Sequence, residues 1–154
     1  MSLSILTPSD LEDFKALLHV FEDVFEMDDF IIPSDLYLAS LLLKSTFKVF
    51  IAKVENVVVG GLTVYILDQY YSPVPQAYLY DLGVARSHQR KGIARELVVA
   101  LRTYCAAHRI EEVFVQADIE DVHALEFYRS TSPSRESDVV HFTYVVNPSS
   151  NVLK

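Results

Sequence analysis

Cysteine is almost absent from this chain of 154 residues. Cys105 stands alone, which excludes an intramolecular disulfide and any metal cluster built on thiolates. It falls on the apolar side of a helical pattern, where a packed core thiol is expected rather than a nucleophile. With only four glycines and six prolines, the chain has no low-complexity stretch, and no repeat with a period of about 20–50 residues is present. No apolar run approaches the roughly 20 residues of a membrane span, and the N-terminus has no basic stretch followed by an apolar one. A cytoplasmic protein with no membrane partner is the expectation. Basic residues are also scarce: 13 Lys and Arg stand against 21 Asp and Glu, for a formal net charge of −8. Nucleic acid and anionic lipid need positive patches, so neither is an expected partner. The acidity suits a small cationic partner as well as it suits mere solubility. His88, His108, His123 and His141 lack metal-ligand spacing, and no metal is expected.

What is present is enough for one sizeable core. Half of the residues are hydrophobic and 12% are aromatic, so the length fits a single domain over 1–154. Ser2–Thr7 reads as a short strand. Thr7-Pro8-Ser9-Asp10 is a helix-start signature, followed by Leu11, Phe14, Leu17, Leu18, Phe21 and Phe25 at helical spacing. Acidic residues from Glu22 to Asp35 cluster after it, and Ser34 or Asp35 could cap a second helix carrying Leu38, Leu41 and Leu42. Lys48–Val54 and Val57–Leu67 are rich in β-branched and aromatic residues and meet at Glu55-Asn56, which predicts a hairpin. Gln76–Val84 is a third strand, and alternation puts Tyr78, Tyr80, Leu82 and Val84 on one face with Leu79, Asp81 and Gly83 on the other. Gly92–His108 carries Ile93, Ala94, Leu97, Val98, Leu101, Tyr104 and Cys105 on one stripe. Val113–Ala117 predicts a strand, Asp121–Arg129 a short helix and Val139–Val146 a last strand. Antiparallel hairpins with one strand–helix–strand crossover make the fold class α+β with a mixed sheet.

The most informative stretch is Tyr80–Leu97, YDLGVARSHQRKGIAREL. A strand ends, a polar turn follows, and a long helix begins at Gly92. The first N–H groups of such a helix have no partner within it and lie at the positive end of its dipole, which suits a diphosphate. Gly92 keeps a Cβ out of the phosphate's way, and Arg90 and Lys91 add charge. Neither G-x-G-x-x-G nor G-x-x-x-x-G-K-[ST] occurs, so the dinucleotide and P-loop readings fail. An ordinary basic turn before an amphipathic helix remains the alternative.

Gln89-x-x-Gly92-x-Ala94 after a strand ending Leu82-Gly83-Val84 resembles the coenzyme A signature of the GNAT acetyltransferases. Ala124-Leu125-Glu126-Phe127-Tyr128 is similar to that superfamily's second motif. More narrowly, Tyr80-Asp81-Leu82, Gln89–Ala94, Val115-Gln116-Ala117-Asp118, His141-Phe142 and Pro33-Ser34-Asp35 followed by Tyr37-Leu38 resemble the small aminoglycoside 3-N-acetyltransferases. The likeness covers roughly residues 35–142. One departure stands out: where the family usually continues after its tyrosine with a Leu-Gly or Gly-Phe turn, this chain has Arg129-Ser130-Thr131-Ser132-Pro133.

The resemblance implies a mostly antiparallel sheet flanked by helices, with a splayed strand pair holding acetyl-coenzyme A as co-substrate. Leu82, Gly83 and Val84 would pair through their backbone with the pantetheine arm, Gly83 permitting close approach at a bulge. Gln89, Arg90, Lys91, Gly92, Ile93 and Ala94 would receive the diphosphate, and Ala124 and Phe127 would complete the cofactor side. Tyr128 would be the general acid for the leaving sulfur, and a backbone N–H from the strand would polarise the thioester carbonyl. Asp81 is a candidate base or substrate anchor, with a structural role equally open. Asp118 and Asp35 are candidates for contact with a cationic acceptor, while Asp121 is better explained as a helix cap. The implied reaction is acetylation of a primary amine on an aminoglycoside. A GNAT acting on a polyamine, peptide or protein, or a coenzyme A-binding module without turnover, are the alternatives. Dimers are common in the resembling family, so a homodimer is an option that the sequence itself leaves open.

Overall fold

Glu55 and Asn56 both adopt positive φ, 50° and 65°, which a two-residue hairpin turn requires. They join β2 (Phe47–Val54) to β3 (Val57–Leu67) at the middle of the sheet in the computed structural model, which describes residues 1–147. The chain divides into two compact units, residues 1–117 and residues from Asp118 onward, each with its own organisation.

The first unit contains β1 (Ser2–Ile5), α1 (Leu11–Val24), α2 (Asp35–Leu43), the β2–β3 hairpin, β4 (Gln76–Val84), a 3₁₀ turn at Arg86–His88, α3 (Ile93–Ala107) and β5 (Glu112–Val115). Sheet order follows chain order, β1-β2-β3-β4-β5. The first four strands are antiparallel, and β4 and β5 are parallel across the α3 crossover. This is the mixed α+β sheet that the sequence predicts. Alternation along β2 distributes the core to both faces. Phe47, Val49 and Ile51 pack with Phe14, Leu17 and Phe21 of α1 and Leu38 and Leu42 of α2. Phe50, facing the other way, meets Tyr104 of α3 edge-on at 5.6 Å. Ile93, Leu97, Val98, Leu101 and Cys105 are the buried stripe of α3. Burial pushes the Cys105 thiol up to about 11, so it stays neutral and behaves as a small apolar group.

One irregularity in β4 changes which residues share a face. Thr63 of β3 pairs with Asp81, but its neighbour Val64 pairs with Leu79, so Tyr80 is an extra residue inserted in the register of β4. Strict alternation would set Asp81 opposite to Tyr78. The bulge at Tyr80 instead returns Asp81 and Gly83 to the face of Tyr78, because an inserted residue shifts the pleat by one. The α1 and α2 side of β4 therefore carries Tyr78, Tyr80, Asp81 and Gly83, which corrects the division expected from sequence. Gly83 is corrected too. The bulge is not at Gly83, and a Cβ there would come within 2.9 Å of Phe21 Cδ1 and 3.0 Å of Val24 Cγ2. The glycine makes room for α1.

The second unit begins with Asp118 and contains α4 (Val122–Ser130), with the Asp121 side chain accepting from the Ala124 N–H at 2.9 Å. Residues 139–146, expected as a strand, belong to no strand or helix. Six of those eight are exposed apolar or aromatic side chains. Such residues gain from a β conformation only when a neighbouring strand and a buried face receive them, and among the described residues no ladder does so.

Candidate active site

Two features of the first unit converge where β4 leads into α3. The first is an open strand edge. β5 pairs with β4 only from Gln76 to Leu79, so from Tyr80 to Val84 the ladders given for β4 lie on its β3 side alone. Backbone groups of successive residues point to opposite sides of a strand; the Ala85 N–H donates to the Val59 carbonyl on the β3 side, so Gly83 also faces β3, while Leu82 and the Val84 N–H face the edge beyond β5.

The second feature is the N-terminus of α3. Gly92 is its N-cap, with φ 83° and no capping side chain, and the position a Cβ would take has no atom within 4 Å. No side chain at Gly92 stands over the first-turn N–H groups of Ile93 and Ala94, which have no acceptor within the helix. Ile93 itself is buried in the core, so only its backbone can serve a ligand. Gln89 is not a free donor: its Nε2 binds the Val84 carbonyl at 3.0 Å, tying the turn to the end of β4. Lys91 donates to the Ser87 carbonyl at 3.0 Å, bracing the turn. Arg90 is exposed with φ 62°. Arg86, which sequence reasoning left unassigned, pins the turn to α1 by donating to the Asp23 carbonyl and to Glu26 Oε1, both at 3.0 Å.

Asp81 is half-buried beside this edge, and the hydroxyl of buried Thr63 donates to it at 3.4 Å. Near it lie aromatic rings from β2, β3, β4 and β5. Tyr80 meets Tyr65 edge-on at 5.4 Å and Tyr78 edge-on at 5.6 Å. Behind them, Phe47 contacts Tyr65 at 5.1 Å and Phe114 stacks on Tyr78 at 4.8 Å. Burial, followed by the nearness of Tyr80, Tyr37 and Asp81, raises the Tyr65 phenol above its ordinary pKa, so it remains a neutral donor. The i, i+2 spacing of Tyr78 and Tyr80 was the available signal; the bulge that brings Asp81 to their side was not.

The acidic N-terminal cluster is largely committed. Asp35 lies in the first turn of α2 and accepts from Lys15 at 3.3 Å, while Ser34 provides the cap. Asp23 and Glu26 answer Arg86.

In the second unit, Asp118 Oδ1 accepts from the Glu120 N–H at 2.9 Å, forming the turn that leads into α4. Ala124, Phe127 and Tyr128 lie on α4 and are half-buried, with the rings of Phe127 and Tyr128 at 5.1 Å. The departing segment after Tyr128 is a built structure. Ser132 takes the left-handed conformation, φ 57°, a role glycine usually fills. Arg129 clamps Glu136 through two hydrogen bonds of 2.9 and 2.6 Å.

Comparison with known proteins matches this architecture. The model of the Acetyltransferase (GNAT) family fits residues 14–131. A search of curated protein sequences returned no match. Among solved structures, an aminoglycoside acetyltransferase from an uncultured soil metagenomic sample, in complex with sisomicin, is 47% identical. The match covers 95% of this chain and 96% of that one, with a TM-score of 0.93. The same enzyme in complex with trehalose gives 48% identity over the same shares. Another aminoglycoside acetyltransferase from such a sample is 34% identical, with a TM-score of 0.87 over 96% of this chain and 100% of that one. The chain belongs to the GNAT family of acetyltransferases.

Proposed function

We propose that this protein acetylates a primary amine of an aminoglycoside, at the 3-amino group of the deoxystreptamine ring, with acetyl-coenzyme A as co-substrate. The observation that carries the reading is the adjacency, on one strand, of an edge that β5 does not cover and a half-buried carboxylate: the β5 ladder ends at Leu79, and Asp81 lies between that point and Leu82–Val84. The identity of 47–48% to an aminoglycoside acetyltransferase supports the choice of acceptor. This reading takes residues 1–154 as a single acetyltransferase domain, which the family match over residues 14–131 supports.

The residues fit the co-substrate. Open space above Gly92 and the first-turn N–H groups of α3 suit a diphosphate, and the edge of β4 beyond β5, with the Leu82 backbone and the Val84 N–H facing it beside Gly83, suits the two amides of a pantetheine arm. Bound there, acetyl-coenzyme A supplies an activated acetyl thioester. Gln89 and Lys91 hold the turn in shape, and Arg90 adds positive charge at its surface. A backbone N–H of the free edge stabilises negative charge growing on the acyl oxygen. Asp81 anchors the acceptor ammonium and takes its proton, directly or through water. Tyr128 Oη holds the proton required by the leaving sulfur, and Ala124 and Phe127 line its helix. Asp118 and Asp35 add negative potential for a polycation, alongside the hydrogen bonds each already makes.

A free-thiol assay with acetyl-coenzyme A and a panel of amines tests the reading. Gentamicin-like deoxystreptamine antibiotics turn over, and KM for them rises as salt goes from about 0.05 to 0.5 M, because charge pairing is screened. Asp81→Asn lowers kcat/KM for the antibiotic and leaves affinity for coenzyme A nearly unchanged. Turnover of polyamines or peptides with none of aminoglycosides overturns the choice of acceptor.

The protein also forms a homodimer on this reading, through the exposed apolar segment of residues 139–146.

A further inference from the structure

Exposed tyrosines collect on one side of the sheet, next to the one carboxylate that β4 carries. Tyr80 is 46% exposed, Tyr65 36% and Tyr37 53%. They come from three elements: β4, β3 and the first turn of α2. Tyr37 and Tyr80 are both near enough to raise the Tyr65 phenol pKa, and so is Asp81. Contiguous exposed apolar surface on a soluble protein marks a binding site more often than it marks chance. These rings are also held in place. Tyr80 is gripped edge-on by Tyr65 and Tyr78, and each of those is backed by a phenylalanine, Phe47 or Phe114. A ring fixed before binding loses little entropy when a ligand arrives.

We propose that Tyr65 and Tyr80, with Tyr37 beside them, form a platform for the ring of an aminated sugar or aminocyclitol, and that Asp81 faces an ammonium at the edge of that ring. This rests on the acceptor reading above and names the residues that select a cyclic amine over an extended one. The chemistry is specific. A six-membered sugar or cyclitol ring presents flat patches of C–H groups, which pack on aromatic faces, with hydroxyls around the rim that exchange hydrogen bonds with phenols. An ammonium over a tyrosine face gains cation–π attraction as well. An extended polyamine has the charge without the flat ring, so it satisfies Asp81 but not the platform. The bulge at Tyr80 makes the pairing: in an unbroken strand, adjacent residues 80 and 81 would face opposite ways.

The test compares Tyr80→Leu, Tyr80→Phe and Tyr65→Leu with the unaltered protein, using gentamicin and spermidine as probes. Tyr80→Leu raises KM for gentamicin at least about tenfold, leaves kcat within about twofold and leaves KM for acetyl-coenzyme A unchanged. The loss is the same at low and high salt, because packing and desolvated cation–π contacts are short-ranged, unlike the screened contribution of Asp81. Tyr80→Phe keeps the ring and stays within about threefold. Tyr65→Leu follows Tyr80→Leu, and near-ultraviolet circular dichroism reports whether its fold is intact. Binding is read separately by calorimetry, so the platform is tested even if gentamicin is not acetylated: gentamicin binds at least about tenfold tighter than spermidine, and Tyr80→Leu abolishes that preference. Equal binding of the two amines, or a folded Tyr80→Leu protein with unchanged gentamicin affinity, overturns the proposal.

Discussion

Asp118 and Asp121 stand three residues apart and use their carboxylates for backbone geometry, one closing the turn before α4 and the other capping its first turn. Tyr128, on the same helix, has a half-buried ring that lies against Phe127. A group with a catalytic role should reveal itself by which kinetic constant it moves. Tyr128→Phe keeps the ring and removes only the proton donor, so kcat falls about 10²-fold or more, while KM for acetyl-coenzyme A changes little. Steady-state kinetics at neutral pH checks this. Turnover within about twofold of the unaltered enzyme would remove Tyr128 from the chemistry and leave it as a packing residue.

At the scale of elements, two glycines flank the same turn and do different work. Gly83 faces α1, where Phe21 and Val24 already fill the space a methyl would need. Gly92 faces open space and has a left-handed backbone. Gly83→Ala should therefore cost stability, about 1–3 kcal/mol for overpacking, with the coenzyme A affinity of the folded protein preserved. Gly92→Val should raise the dissociation constant of coenzyme A at least about tenfold, because its side chain enters the space above the helix start, and backbone strain adds roughly 1–2 kcal/mol of destabilisation. Urea melts and calorimetry on the two variants separate these effects. Unchanged affinity in a folded Gly92→Val protein would defeat the diphosphate assignment. Of the two, only the place of Gly92 at a helix start was legible in sequence, since a glycine there is marked by local pattern. The role of Gly83 depends on a helix about sixty residues earlier in the chain, and periodicity within β4 says nothing of it.

The same distinction holds for the whole molecule. Nearly every element of the first unit was legible, because the amphipathic stripe of α3 and the Glu55-Asn56 hairpin are local patterns. The face of Asp81 was not, since it turns on a register shift between two strands. The segment at residues 139–146 was read as a strand from composition, yet composition cannot supply an edge to pair with. Val139, Val140, Phe142, Tyr144, Val145 and Val146 are 67–86% exposed, and with aromatic side chains of about 150–250 Å² each the six leave on the order of 700 Å² of side-chain surface in water. A standard interface buries about 800 Å² per partner, so one such segment from each of two copies would supply a substantial part of the proposed dimer interface. In the proposed homodimer the two segments, paired antiparallel about a two-fold axis, would satisfy each other's backbone groups and cover apolar side chains on their facing sides. Sedimentation velocity at tens of micromolar should give a dimer for the unaltered chain. Val140→Asp combined with Phe142→Asp should shift it to monomer while the buried α3 and hairpin core keeps its melting behaviour, since neither residue belongs to that core. A monomer for the unaltered chain at about 100 μM, where even a micromolar interface is nearly saturated, would show that this surface is not how two copies meet.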